Sequence, residues 1–253
     1  MKNTTIFGAL DPELVEHVSR RAAVAHSGKL AGALAVASMP VAFGLLAKRA
    51  FAQGTALPAE IITVLNFALT LEYLEDEFYR TGLETGGLIP PQARAIFEPI
   101  SAHETAHVAL LEGAITSGGG TPVDKPTFDF TAGGVFDPFG DYVQFAALAQ
   151  AFEDTGVRAY KGQAGALMSN DAILTTALRI HSVEARHASA VRRLREEKGW
   201  ITGNQNTLPA EAAAVYAGEE AGAGVTTAAS AEAFDEPLTM DQVNAIAGLF
   251  IVP

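Results

Sequence analysis

Apolar residues recur at helical spacing in four stretches of this chain. The first begins at Pro58, a residue suited to an opening helical turn. Ile61, Leu65, Ala68 and Leu69 form one stripe, which Glu72 and Tyr79 continue. The pattern predicts a helix to about Thr81, ended by Gly82 and Gly86-Gly87. A second helix starts at Pro90-Pro91 and stops before Gly118-Gly119-Gly120. It contains Pro99, which removes a backbone donor and predicts a kink or break there. A third covers about Phe139–Met168. Ser169-Asn170-Asp171 then caps a fourth, which ends near Lys198-Gly199.

Residues 118–138, between helices two and three, are rich in Gly, Pro, Thr and Asp, yet they hold Phe128, Phe130 and Phe136. That mixture predicts an ordered crossover. Beyond Trp200 the pattern is less regular, and residues 209–233 are rich in Ala and Gly. Leu238–Val252 then places Val243, Ile246, Leu249 and Phe250 at helical spacing, a short helix packed on the bundle or on a neighbouring subunit. The fold class is therefore all-α. A four-helix bundle over residues 53–200 has a long crossover between helices two and three, and an extension over 201–253 ends in a short helix.

Composition narrows the chemistry. With 253 residues, 49% of them hydrophobic, the chain can bury one sizeable core. A formal net charge of −12 without a basic patch in the bundle argues against nucleic acid and anionic lipid as partners. The absence of Cys excludes disulfides, Cys-ligated zinc and iron–sulfur clusters. A metal here must be held by Glu, Asp, His, backbone or water.

The first 52 residues read as a targeting segment. Ser19-Arg20-Arg21 precedes an uncharged run from Leu30 to Ala47, followed by Lys48-Arg49 and the small-x-small sequence Ala50-Phe51-Ala52. The twin arginine resembles a Tat signal, although Ala22-Ala23-Val24 stands where Phe-Leu is usual. Two outcomes follow from this segment. Cleavage near Gln53 delivers the protein to the periplasm or the outside, whereas retention makes the run a membrane anchor.

The polar positions that interrupt the apolar stripes are duplicated. Glu72 is followed 32 residues later by Glu104-Thr105-Ala106-His107, and Glu153 is followed 31 residues later by Glu184-Ala185-Arg186-His187. Positions three apart share a helix face, so each Glu-x-x-His pair can reach one point. One Glu from each of two helices and a Glu-x-x-His from each of the other two is a ligand set for two metals in a bundle core. The candidate ligands are Glu72, Glu104, His107, Glu153, Glu184 and His187. Four carboxylates balance two divalent cations, and carboxylate with imidazole suits Fe or Mn. Tyr79 and Tyr160 each follow a lone Glu by seven positions, where a phenol can orient a carboxylate. His103 and His181 lie near the pairs as outer donors, extra ligands or plain helix-face histidines. Asp154 is placed to brace a histidine. Glu75, Asp76 and Glu77 are expected to point elsewhere around the helix, mostly into solvent.

On these residues the chain resembles the ferritin-like superfamily. The stretch from Leu65 to Glu75 with Phe78-Tyr79, and the closing Phe234-Asp235-Glu236-Pro237-Leu238, are similar to the branch that contains desiccation-related and exported bacterial ferritin-like proteins. The resemblance implies a central dinuclear site held by the six residues above. Its relatives include ferroxidases, rubrerythrins and manganese catalases, and no rubredoxin-like Cys cluster is present. The implied function is an exported di-iron or di-manganese protein acting on peroxide, dioxygen or Fe(II). The alternatives are a non-enzymatic stress- or desiccation-protection protein with a structural or vestigial metal site, and an envelope-associated assembly subunit. A homo-oligomer built through the C-terminal segment is a further expectation.

Overall fold

The computed structural model describes residues 56–203, 207–220 and 232–252. The Tat-like segment, its cleavage point and part of the Ala/Gly-rich stretch lie outside the described residues. Four long helices form the bundle: α1 (Ala59–Glu84), α2 (Pro91–Ser117), α3 (Tyr142–Gln163) and α4 (Asp171–Leu194). A 3-10 turn, Ala164–Leu167, links α3 towards α4; a second, Ala210–Tyr216, and the short α5 (Met240–Ala247) belong to the extension. α1 packs chiefly on α2 and α3 on α4, while α1–α3 and α2–α4 contacts close the ring. No described helix is long and apolar enough to cross a membrane.

Several boundaries differ from the sequence pattern, each for a packing reason. α1 runs through Gly82 rather than ending there, because the Phe145 ring lies against it and a Cβ would come within 2.2 Å of that ring. The helix stops instead before Gly87, at φ 80°. α2 is continuous through Pro99 and is not broken. Phe97 and Ile100 on either side are buried, so tertiary packing holds the turn that lost its donor. α3 is shorter than expected, because Asp141 caps its start by accepting from the Val143 N–H and its last turn tightens into the 3-10 segment. Asn170 caps α4 by accepting from the Ile173 N–H at 3.1 Å, and α4 ends at Leu194, ahead of Glu196 at φ 61°.

The crossover is ordered by two devices. The Asn66 amide donates to the Thr121 carbonyl and accepts from the Val123 N–H. Phe128 forms an antiparallel bridge with Ile251, and Phe130 and Phe136 are buried. The C-terminal segment thus packs on its own chain. α5 starts in a capping box of Thr239 and Gln242 and touches α3 and the 3-10 turn at 210–216. Arg158 of α3 is buried and locks this segment down. Its guanidinium donates to the carbonyls of Val215, Ala217 and Glu236 and pairs with Glu219 at 2.7 Å. Gly162 leaves room for the Leu238 carbonyl, which a Cβ would meet at 1.9 Å.

The core is divided along the bundle axis. One apolar cluster contains Phe78, Phe97, Phe152 and Val191. The other contains Leu69, Leu111, Tyr160 and Ile180. On α1, α2 and α4 the acidic and histidine positions fall between the two, so the bundle carries one polar layer sandwiched by hydrocarbon.

Candidate metal centre

All six proposed ligands converge in that layer. Glu72, Glu104, Glu153 and Glu184 are each 0% exposed, and His107 and His187 are buried. Two four-residue groups emerge, each with its donor atoms within 4.8 Å of one another: Glu72, Glu104, His107 and Glu184, and Glu104, Glu153, Glu184 and His187. Glu104 and Glu184 belong to both. Around His107 Nδ1 stand Glu72 Oε2 at 3.2 Å, Glu104 Oε2 at 2.9 Å and Glu184 Oε1 at 3.1 Å. Around His187 Nδ1 stand Glu104 Oε1 at 2.8 Å, Glu153 Oε2 at 3.3 Å and Glu184 Oε2 at 3.7 Å. Each shared carboxylate therefore turns one oxygen to each half.

The tyrosines are exchanged between the halves. Tyr79 of α1 donates to Glu153 Oε1 at 2.5 Å, and Tyr160 of α3 donates to Glu72 Oε1. This exchange requires α1 and α3 to run antiparallel, and it gives the centre an approximate twofold symmetry. In both halves the phenol holds one carboxylate oxygen while the other faces the histidine.

The donor set fits a pair of divalent cations. Glu104 Oε1, Glu153 Oε2, both oxygens of Glu184 and His187 Nδ1 are buried without a hydrogen-bond partner. His187 Nδ1 is 2.8 Å from Glu104 Oε1, but the contact is too oblique to be a hydrogen bond. So many unsatisfied polar atoms in a hydrocarbon sandwich are costly unless a cation satisfies them. All are oxygen and imidazole donors, which suits Fe or Mn.

Electrostatics without cations tell the same story. Burial pushes Glu72 up to about 8, with His107 pulling back and Glu184 adding to the rise. Burial and neighbouring carboxylates also hold Glu153 well above the ordinary range, against the pull of His187. Burial opposes ionisation of Glu104 and Glu184 too, but their histidine neighbours outweigh it and hold both low. Burial works against the imidazolium of His107 and His187, and the surrounding carboxylates overcome it and raise both. The result is two imidazoliums facing two carboxylates beside two protonated carboxyls, a neutral arrangement.

The remaining sequence candidates divide. His103 Nδ1 lies 2.9 Å from His187 Nε2, with the rings stacked, so it supports the histidine nitrogen that faces away from the carboxylates. His181 has a buried Nδ1 with no partner and belongs to neither donor group. Asp154 does not brace a histidine. One residue on from Glu153, it points about 100° away, where it binds Arg192 at 2.6 Å and accepts from Tyr216. Glu75 corrects a second expectation, for it is 3% exposed and faces the centre rather than solvent. Burial, then Glu184, Glu153, Glu104 and Glu72, push it well above the usual range. It lies three positions after Glu72, so the spacing rule that groups each Glu with its His also finds Glu75.

Fold and site together define a class: a four-helix bundle with a duplicated carboxylate–histidine cluster at its centre. The family model of the ferritin-like domain matches residues 60–197, more than half of the chain, and the chain belongs to that family. No curated protein matches it.

Proposed function

We propose that this protein holds two Fe or Mn ions between Glu72, Glu104, His107, Glu153, Glu184 and His187, and reacts with peroxide or dioxygen. The observation that carries the reading is the sharing of Glu104 and Glu184 between two equivalent donor groups. When bound, two redox metals would supply the electrons for cleaving an O–O bond. The chain's own residues do the rest. Glu104 and Glu184, common to both donor groups, would help hold both ions, and Glu72 and Glu153 would each help hold one. Tyr79 and Tyr160 fix those last two carboxylates, and the apolar clusters on either side exclude bulk water. His103 supports His187 from behind.

The output in this reading is peroxide removal or Fe(II) oxidation. Export by the twin-arginine route is part of the same proposal. The twin-arginine route carries folded proteins, so the metal is chosen before the protein leaves the cytoplasm. That proposal rests on Arg20-Arg21 and Ala50-Phe51-Ala52. The test is to load the protein anaerobically with Fe(II) or Mn(II) and then follow peroxide consumption and oxygen-dependent Fe(II) oxidation. Turnover that tracks metal content supports the enzyme. A protein that binds two ions yet shows neither reaction is a metal-stapled scaffold. That alternative draws on the complete burial of the four carboxylates.

A further inference from the structure

A pocket of about 260 Å³, open mouth included, lies between α1, α3 and α5. Leu71 and Leu74 of α1, Phe152 and Gly156 of α3, and Ile246 of α5 line it, and Glu75 supplies the one ionisable group in its wall. Its Oε1 and Glu184 Oε2 both border the space beside Gly156, so Glu75 adjoins the pocket and the centre alike. No hydrogen bond or ion pair to another described residue holds its carboxylate. Such a group in a hydrocarbon wall costs stability that a leucine would not.

Gly156 is the second observation. A Cβ there would lie 3.5 Å from Glu75 Oε1 and 3.6 Å from Glu184 Oε2, which are ordinary contacts. Packing therefore does not demand glycine, unlike Gly82 and Gly162, where a Cβ would clash. Glycine in a helix interior is less stable than alanine by about 1 kcal/mol. What it preserves here is space between pocket-side Glu75 and Glu184, which has both oxygens unpartnered.

We propose that Glu75 is the entry carboxylate of the centre. A divalent cation reaches the pocket beneath α5, is held by Glu75, and passes Gly156 to the carboxylates of Glu184 and Glu104. The proposal rests on the dinuclear reading above. It assigns Glu75 a positioning role during loading and no place among the resident ligands.

The experiment is anaerobic stopped-flow mixing of the metal-free full-length chain with Co(II), read by its visible absorption at fixed pH, with no turnover required. Wild type, Glu75→Gln, Gly156→Ala and Gly156→Val are compared, with thermal melting as the control for folding. All four are expected to saturate at two Co(II) per chain. Glu75→Gln and Gly156→Val should load at least about ten-fold more slowly, the factor that ~1.4 kcal/mol of barrier gives. Gly156→Ala should slow less and melt no lower than wild type. Unchanged loading rates in Glu75→Gln and Gly156→Val overturn the proposal and leave the dinuclear reading standing. Saturation of Glu75→Gln below two ions also overturns it, because Glu75 would then be a resident ligand. A wild-type chain that takes up no Co(II) removes the dinuclear reading and the entry route with it.

Discussion

Loading the centre should expel about four protons per metal pair at pH 7. With two divalent ions in place, four ionised carboxylates and two neutral imidazoles bring the net charge to zero. Without them the same groups cannot stay at four negative charges, because each carboxylate is 0% exposed. Protons take the place of the cations. Glu72, pushed up to about 8, and Glu153, held well above the ordinary range, carry one each. His107 and His187, both raised, carry the others. The neighbouring groups add little to the count. Burial lowers His103, so it stays neutral, and it raises Tyr79 and Tyr160, so they stay phenols. Glu75, also raised, keeps its proton once the metal pair is balanced. The sign follows directly: the metal-free protein binds more protons than the loaded one, so affinity falls as pH falls. Near pH 7 the overall two-metal constant should drop by about four decades per pH unit. Above pH 8 the count should fall towards about three, as Glu72 ionises by itself. Titration calorimetry in two buffers of different ionisation enthalpy measures the number. Release of one proton or none would mean carboxylates already ionised without metal, and would refute the neutral buried layer.

Other consequences are separable. Glu104→Ala and Glu184→Ala each remove a shared carboxylate, so each should bind fewer than two ions and lose turnover while keeping wild-type helix content; metal analysis with circular dichroism checks this. Tyr160→Phe should weaken the Glu72 half and Tyr79→Phe the Glu153 half, by similar factors of roughly ten, read as two unequal affinities in each variant. Arg158→Met strands buried Glu219 and three carbonyls, which should cost about 3 kcal/mol or more. Because the lost contacts all reach the extension, hydrogen exchange should rise at 210–220 and 236–250 before it rises in α1–α4; uniform exchange would contradict the pinning role.

The bundle and the six converging residues were legible because they depend on periodicity and spacing. Glu-x-x-His at three residues, and the Tyr seven positions after each lone Glu, are fixed by helix geometry alone. The partner of each tyrosine was not legible, since the exchange between α1 and α3 depends on how the helices pack. Gly82 misled because a glycine that ends a helix and one that admits a neighbouring ring look alike in sequence. Asp154, Arg192 and Tyr216 form a network across three segments, and no local pattern joins them. Glu75 is legible by the same rule: its three-residue spacing from Glu72 places it on the inner face, although acidic runs on helices usually face solvent.

The central claim is a pair of cations bridged by Glu104 and Glu184. Anomalous diffraction from crystals of manganese-loaded protein tests it most directly. Two manganese peaks roughly 3.5–4 Å apart, with both carboxylates spanning them, are the expected result. A single peak, or peaks away from these residues, would contradict it.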